Sequence, residues 1–152
     1  QKNIPDHEAT KKLAQDLYKR FLAPVPNFCL FLEGGLGAGK TFLVREILSH
    51  FGVQENVTSP TYVFVNEYTP GFEASNFEIS LAHFDFYRFQ EKTEFFHRGF
   101  ADIAEDPRIS CFVEWPEKLC PEGRMSFSGQ KYVLQMSHGI GAGMRNIKLL
   151  QP

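Results

Sequence analysis

Eight consecutive residues constrain this chain more than any other feature: Gly34-Gly35-Leu36-Gly37-Ala38-Gly39-Lys40-Thr41. They fit the phosphate-binding pattern G-x-x-x-x-G-K-[ST]. The run before them, Phe28-Cys29-Leu30-Phe31-Leu32, reads as a buried strand. Phe42 to Phe51 reads as a helix that stops at Gly52. Strand, glycine loop and helix in that order is the context the motif requires. Glycines at 34, 35, 37 and 39 permit positive φ and let backbone N–H groups curl around a triphosphate. The helix starting near Lys40 turns its free N–H groups and the positive end of its dipole toward the anion. Lys40 is expected to reach the outer phosphates, and the hydroxyl of Thr41 to ligate Mg²⁺.

The chain has 152 residues, a length that suits one domain over 1–152, and its 43% hydrophobic content includes 16 phenylalanines to fill a core. The net charge is −2, which argues against a general nucleic-acid surface of clustered Lys and Arg. Any RNA is therefore expected to be held by a partner. No apolar run approaches the ~20 residues of a membrane span, and no secretory signal is visible. Cys29, Cys111 and Cys120 are scattered without zinc-ligand spacing. That set fits a reducing cytoplasm, with cysteine serving as a small hydrophobe.

Leu13, Leu17 and Phe21 recur at helical spacing. Asp6 or Thr10 is placed to cap that helix, and Pro24 and Pro26 to end it. Further strands are expected over Tyr62–Tyr68, about Ser80–Phe86 and Ile109–Val113, with short helices over Lys92–His97 and Phe100–Glu105. The segment from Thr69 toward Phe77 reads as an exposed loop. Lys131–Met136 and Arg145–Leu150 read as a closing antiparallel pair. The link between them, with Gly139, Gly141 and Gly143, is a flexible hairpin loop and not a dinucleotide fingerprint, since no helix follows. The mixture predicts an α/β fold.

Mg²⁺ usually takes one or two carboxylates along with waters and phosphates, and open α/β sheets bind ligands at the carboxyl ends of their parallel strands. Two apolar strands end in an acid. Leu81-Ala82-His83-Phe84 runs into Asp85, and Ile109-Ser110-Cys111-Phe112-Val113 runs into Glu114. Asp85 has the look of a Walker B aspartate, although His83 makes its strand less apolar than usual. Glu114 suits a metal contact, a metal-bound water or the attacking water. The plainer reading makes each a helix cap or a partner for Arg88 or Lys118. Thr58-Ser59-Pro60-Thr61 is either a switch-like sensor of the γ-phosphate or an ordinary proline turn.

These motifs together resemble the TsaE family, formerly called YjeE, P-loop ATPases of bacterial threonylcarbamoyladenosine tRNA modification. The resemblance is carried by Leu36-Gly37-Ala38-Gly39-Lys40-Thr41, Ser59-Pro60-Thr61-Tyr62 and His83-Phe84-Asp85-Phe86-Tyr87-Arg88. Glu94…Gly99…Asp102 and Glu114-Trp115-Pro116-Glu117-Lys118 complete it. It departs at Gly35, where the family commonly has an acid, and is loose from Cys120 to Gln130. It implies a three-layer P-loop NTPase-like domain with a mixed, mainly parallel central sheet and a C-terminal antiparallel strand pair. It also implies binding and slow hydrolysis of ATP with Mg²⁺, and association with TsaD and TsaB, with tRNA met only through that complex. Carried over, the loop from Gly35 through Thr41 binds phosphates. Thr41 and Glu114 contact Mg²⁺, Asp85 acts at the metal or in catalysis, and Thr61 is switch-like. Thr10 and Arg145 match family residues near the nucleotide, and Trp115 lies close to it.

Two other uses of such a loop are open. A small-molecule kinase would want an arginine-rich lid, which this sequence lacks, and a guanine switch would want N-K-x-D, which is also missing. A nucleotide-gated binding module would use the cluster Phe84, Phe86, Tyr87, Phe89, Phe95, Phe96 and Phe100 as a contact surface, although such residues are more often core.

Overall fold

Residues 2–4, 6–71, 77–140 and 144–150 are described by the structure, a computed structural model. Seven strands form one sheet among them: β1 (Lys2–Ile4), β2 (Phe28–Glu33), β3 (Val65–Tyr68), β4 (Ser80–Asp85), β5 (Ile109–Glu114), β6 (Gln130–His138) and β7 (Arg145–Leu150). The spatial order is β1-β7-β6-β2-β5-β4-β3. The four central strands, β6, β2, β5 and β4, are mutually parallel. β7 and β3 run against them, and β1 lies antiparallel to β7. The sheet is thus mixed and mainly parallel, with the expected antiparallel pair at the C-terminus.

Strand β2 alternates between two cores. Phe28, Leu30 and Leu32 face one cluster, with Leu13, Ala14 and Leu17 of α1 (His7–Leu17) and Leu43, Val44 and Ile47 of α2 (Lys40–His50). Cys29 and Phe31 face the other, with Phe86, Phe95, Ala104 and Phe127. That second face carries α3 (Glu94–His97), α4 (Phe100–Glu105) and α5 (Pro121–Met125). Helices on both sides of a parallel sheet explain why β2 reads as a continuous apolar run rather than an alternating one. Each fully buried Phe adds roughly 1.5–3 kcal/mol over exposure, and seven are among the largest fully buried side chains.

Of the proposed aromatic contact surface, Phe84, Phe86, Phe89 and Phe95 are buried core, while Tyr87 and Phe96 remain about two-fifths exposed. Asp6 caps α1, accepting from the Ala9 N–H at 2.8 Å, and the helix runs on as a π-helical turn over Tyr18–Leu22.

The sequence reading needs four corrections. β1 was not expected, because three residues carry no periodicity; it exists by pairing Lys2–Ile4 with Ile147–Arg145. α5, in the loosely patterned stretch, and a 3-10 turn over Pro116–Lys118 just before it were missed. The expected helix over Lys92–His97 begins only at Glu94. The strand expected from Tyr62 starts at Val65, because Thr61–Val63 form a turn and Phe64 is left-handed at φ 69°. The chain between β6 and β7 closes with Gly139 N–H donating to the Met144 carbonyl at 2.7 Å. Gly141 and Gly143, like residues 72–76 of the expected loop, lie outside the described residues.

Cys29 and Cys111 are direct neighbours across β2 and β5, both buried. Burial pushes the Cys29 thiol well up and that of Cys111 to about 12. Neither forms thiolate at ordinary pH, so a disulfide-exchange reagent at pH 8 should label Cys120 alone in the native protein. All three should react once the chain is unfolded.

Candidate nucleotide and metal site

The strand order sets up the site. The parallel strands β2, β5 and β4 lie side by side, so their carboxyl ends stand in one row. The first leads into the glycine loop, the second ends at Glu114 and the third at Asp85. Leu32 registers with Glu114, and Glu114 with Asp85. Two acids 29 positions apart in sequence are thus on adjacent strands beside the loop, above the sheet edge where such folds bind ligands.

The loop itself uses left-handed glycines at Gly37 (φ 75°) and Gly39 (φ 93°), the latter capping α2. Gly34, at φ 151°, packs so closely that a Cβ would overlap the Met136 carbonyl oxygen. Gly35 corrects the sequence reading. It is not among the positive-φ glycines, and a Cβ there meets nothing within 4 Å, so a side chain fits.

Lys40 is nearly buried. Its ammonium donates to the carbonyls of Gly34 at 2.5 Å and Gly35 at 2.9 Å, and lies 4.1 Å from the centre of the Trp115 ring. Burial pushes its pKa down, and the nearby charges of Glu114, Glu117 and Asp85 oppose that shift.

Glu114 is 3% exposed, and a buried carboxylate is costly unless it is satisfied. Two groups converge on its Oε1: the Thr41 hydroxyl at 2.8 Å and His83 Nε2 at 2.8 Å. Asp85 serves a different set. Its Oδ2 accepts from Thr61 Oγ1 at 2.8 Å and Ser59 Oγ at 3.1 Å, while Oδ1 accepts the Tyr87 N–H at 2.9 Å. Neither acid pairs with Arg88 or Lys118; Arg88 lies over the Tyr62 ring at 4.8 Å. The Ser59–Thr61 loop thus sits at the site.

Hydroxyl and carboxylate oxygens are hard donors of the kind Mg²⁺ prefers. No cluster of three acidic, His or Cys ligands exists among the described residues. The set therefore suits a cation that completes its shell with phosphate and water, and Thr41, Glu114 and Asp85 fit that group.

His83 was missed as a site residue. It is fully buried; Nε2 faces a carboxylate, and Nδ1 has no hydrogen-bond partner among the described residues. A polar nitrogen buried without a partner costs about 1–3 kcal/mol. The available signal was a lone histidine inside an apolar strand, which requires a partner somewhere.

A cleft of about 440 Å³ opens over these groups, lined by the loop from Leu36 to Thr41 and by Ser59, Thr61, Asp85, Glu114 and Trp115. Gly35, Thr10 and Arg145 do not line it. Thr10 is buried, Arg145 donates to its hydroxyl at 3.5 Å, and Arg145 packs against Gly39.

Two contrasts test this geometry. Gly34→Ala should cost ~1–3 kcal/mol in urea unfolding through forced backbone strain, whereas Gly35→Glu should stay within about 0.5 kcal/mol. His83→Phe loses the orphaned nitrogen but also one of the two donors to the buried Glu114 carboxylate, so it should fold with a net loss of about 1–3 kcal/mol in urea unfolding. It should weaken Mg²⁺–nucleotide binding about 10- to 100-fold in a Trp115 fluorescence titration, with His83→Gln recovering part of the loss.

Comparison with known proteins places the chain in a family. The chain is 39% identical over 115 residues to the "tRNA threonylcarbamoyladenosine biosynthesis protein TsaE" of Rickettsia felis, covering 75% of this chain and 61% of that one. It is 39% identical over 108 residues to the Haemophilus influenzae protein of the same name, covering 71% and 63%. With the Synechocystis protein of that name the figures are 36% over 118 residues, 76% and 69%. The chain thus spans about three-fifths of the length of the first two relatives. The crystal structure of Bacillus subtilis YdiB superposes with a TM-score of 0.66 at 23% identity, covering 99% of this chain and 83% of that one, a likeness of fold. Residues 4–139 match the family model of the "Threonylcarbamoyl adenosine biosynthesis protein TsaE", and the chain belongs to that family.

Proposed function

We propose that this protein binds and hydrolyses ATP with Mg²⁺, and that its hydrolysis serves threonylcarbamoyladenosine modification of tRNA by a complex with TsaD and TsaB. The observation that carries this reading is the row of Thr41, Glu114 and Asp85 beside a glycine loop. Backbone N–H groups of Gly37 to Thr41 cradle the phosphates, and Lys40 exchanges its loop carbonyls for the outer phosphate oxygens. Thr41 and Glu114 would hold the metal, with His83 fixing the Glu114 carboxylate. Asp85, its hydrogen bonds set by Thr61 and Ser59, orients the water that attacks the γ-phosphate in line. When bound, Mg²⁺ would supply charge neutralisation at the phosphates. Arg145, hydrogen-bonded to Thr10 and held against Gly39, stands beside the loop that cradles the phosphates.

Three free cysteines fit a cytoplasmic setting, and no helix among the described residues is long and apolar enough to cross a membrane. A net charge of −2 supports tRNA contact through partners rather than directly.

Phosphate release from the purified chain, alone and with TsaD, TsaB and tRNA, tests the reading. Lys40→Ala should weaken ATP binding at least tenfold, about 1.4 kcal/mol. Asp85→Asn should keep nucleotide affinity and lose on the order of 100-fold in turnover. Phosphate appearing on an added small molecule instead of free in solution would favour a kinase.

A further inference from the structure

Phe64 stands in the left-handed region at φ 69°, a strained conformation for an aromatic residue. Its position explains what is gained. The Phe64 N–H donates to the Pro60 carbonyl at 2.6 Å, closing a turn around Thr61, and its carbonyl accepts the Asp85 N–H at 2.9 Å. This one residue therefore sets the depth at which Thr61 approaches Asp85, where the 2.8 Å hydrogen bond forms.

The ring is held from two sides. Phe89 and Phe100 pack against it at 5.3 and 6.3 Å, and the Arg98 guanidinium lies 4.4 Å from its centre. Arg98 is itself fixed. Glu94 Oε2 accepts from its Nε at 3.2 Å and Nη2 at 3.1 Å, and Glu94 Oε1 accepts the Gln90 and Glu91 N–H groups at 2.7 and 3.1 Å. Those backbone donors, first Glu91, then Gln90, and then Arg98, hold the Glu94 carboxyl below its usual range, so it is ionised at neutral pH. Four donors on one carboxylate of a four-residue helix make a rigid mount for a guanidinium.

We propose that Glu94 and Arg98 are positioning residues: the pair clamps the Phe64 ring and so keeps the Thr61 turn in register with Asp85. Neither residue lines the cleft, and they act on the reaction only through this turn. The inference rests on the ATPase reading for its catalytic consequence but not for its structural one.

The test pairs two readouts on the full chain. Amide hydrogen exchange without nucleotide should show the Phe64 and Asp85 protons exchanging about two- to fivefold faster in Arg98→Ala, the loss expected of one exposed cation–π contact. The amides of β2 should be unchanged. In ATP turnover, kcat should fall by a similar factor with KM unaltered, and Arg98→Lys, which keeps a cation on the ring, should recover most of both effects. Unchanged exchange at Phe64 and Asp85, acceleration across the whole sheet, or an Arg98→Lys variant as impaired as Arg98→Ala would each overturn the clamp. Altered exchange in a protein without ATP turnover would uphold the clamp and remove the ATPase reading instead.

Discussion

The arrangement depends on one buried oxygen. Glu114 Oε1 sits between the first turn of α2 and the middle of β4, and accepts from Thr41 on one side and His83 on the other. A carboxylate this buried is tolerable only because both donors are present. It ties the glycine loop to the sheet, and it fixes the hydroxyl that the motif places next to a cation. The strand order makes this possible, since β5 lies between the loop-bearing strand and the Asp85 strand.

That order also divides the labour of the two acids. Glu114 is the neighbour of the loop and shares Thr41, while Asp85 is one strand further out and shares the hydroxyls of Ser59 and Thr61. Here one acid belongs to the loop and the other to the turn preceding β3.

Much of this was legible in the chain. The loop, its flanking strand and helix, and the two acid-terminated strands follow from apolar runs and glycine chemistry, all of which are local signals. The division between Asp85 and Glu114 was not legible, because lateral strand order is absent from local pattern. His83 escaped because its partner is 31 positions away. Phe64 misled because Tyr62-Val63-Phe64-Val65 has strong strand propensity, which the tether to Asp85 overrides. Gly35 misled in the other direction, since a glycine inside the motif need not use glycine's freedom.

The two jaws of the cleft differ in foundation. One springs from β2, hydrogen-bonded on both sides and buried on both faces. The other hangs from β3, a four-residue edge strand with a single neighbour and mostly half-covered side chains. Thermal fraying begins at such margins. The side of the cleft that carries Thr61 therefore has the weaker anchorage, and the glycine-loop side the stronger.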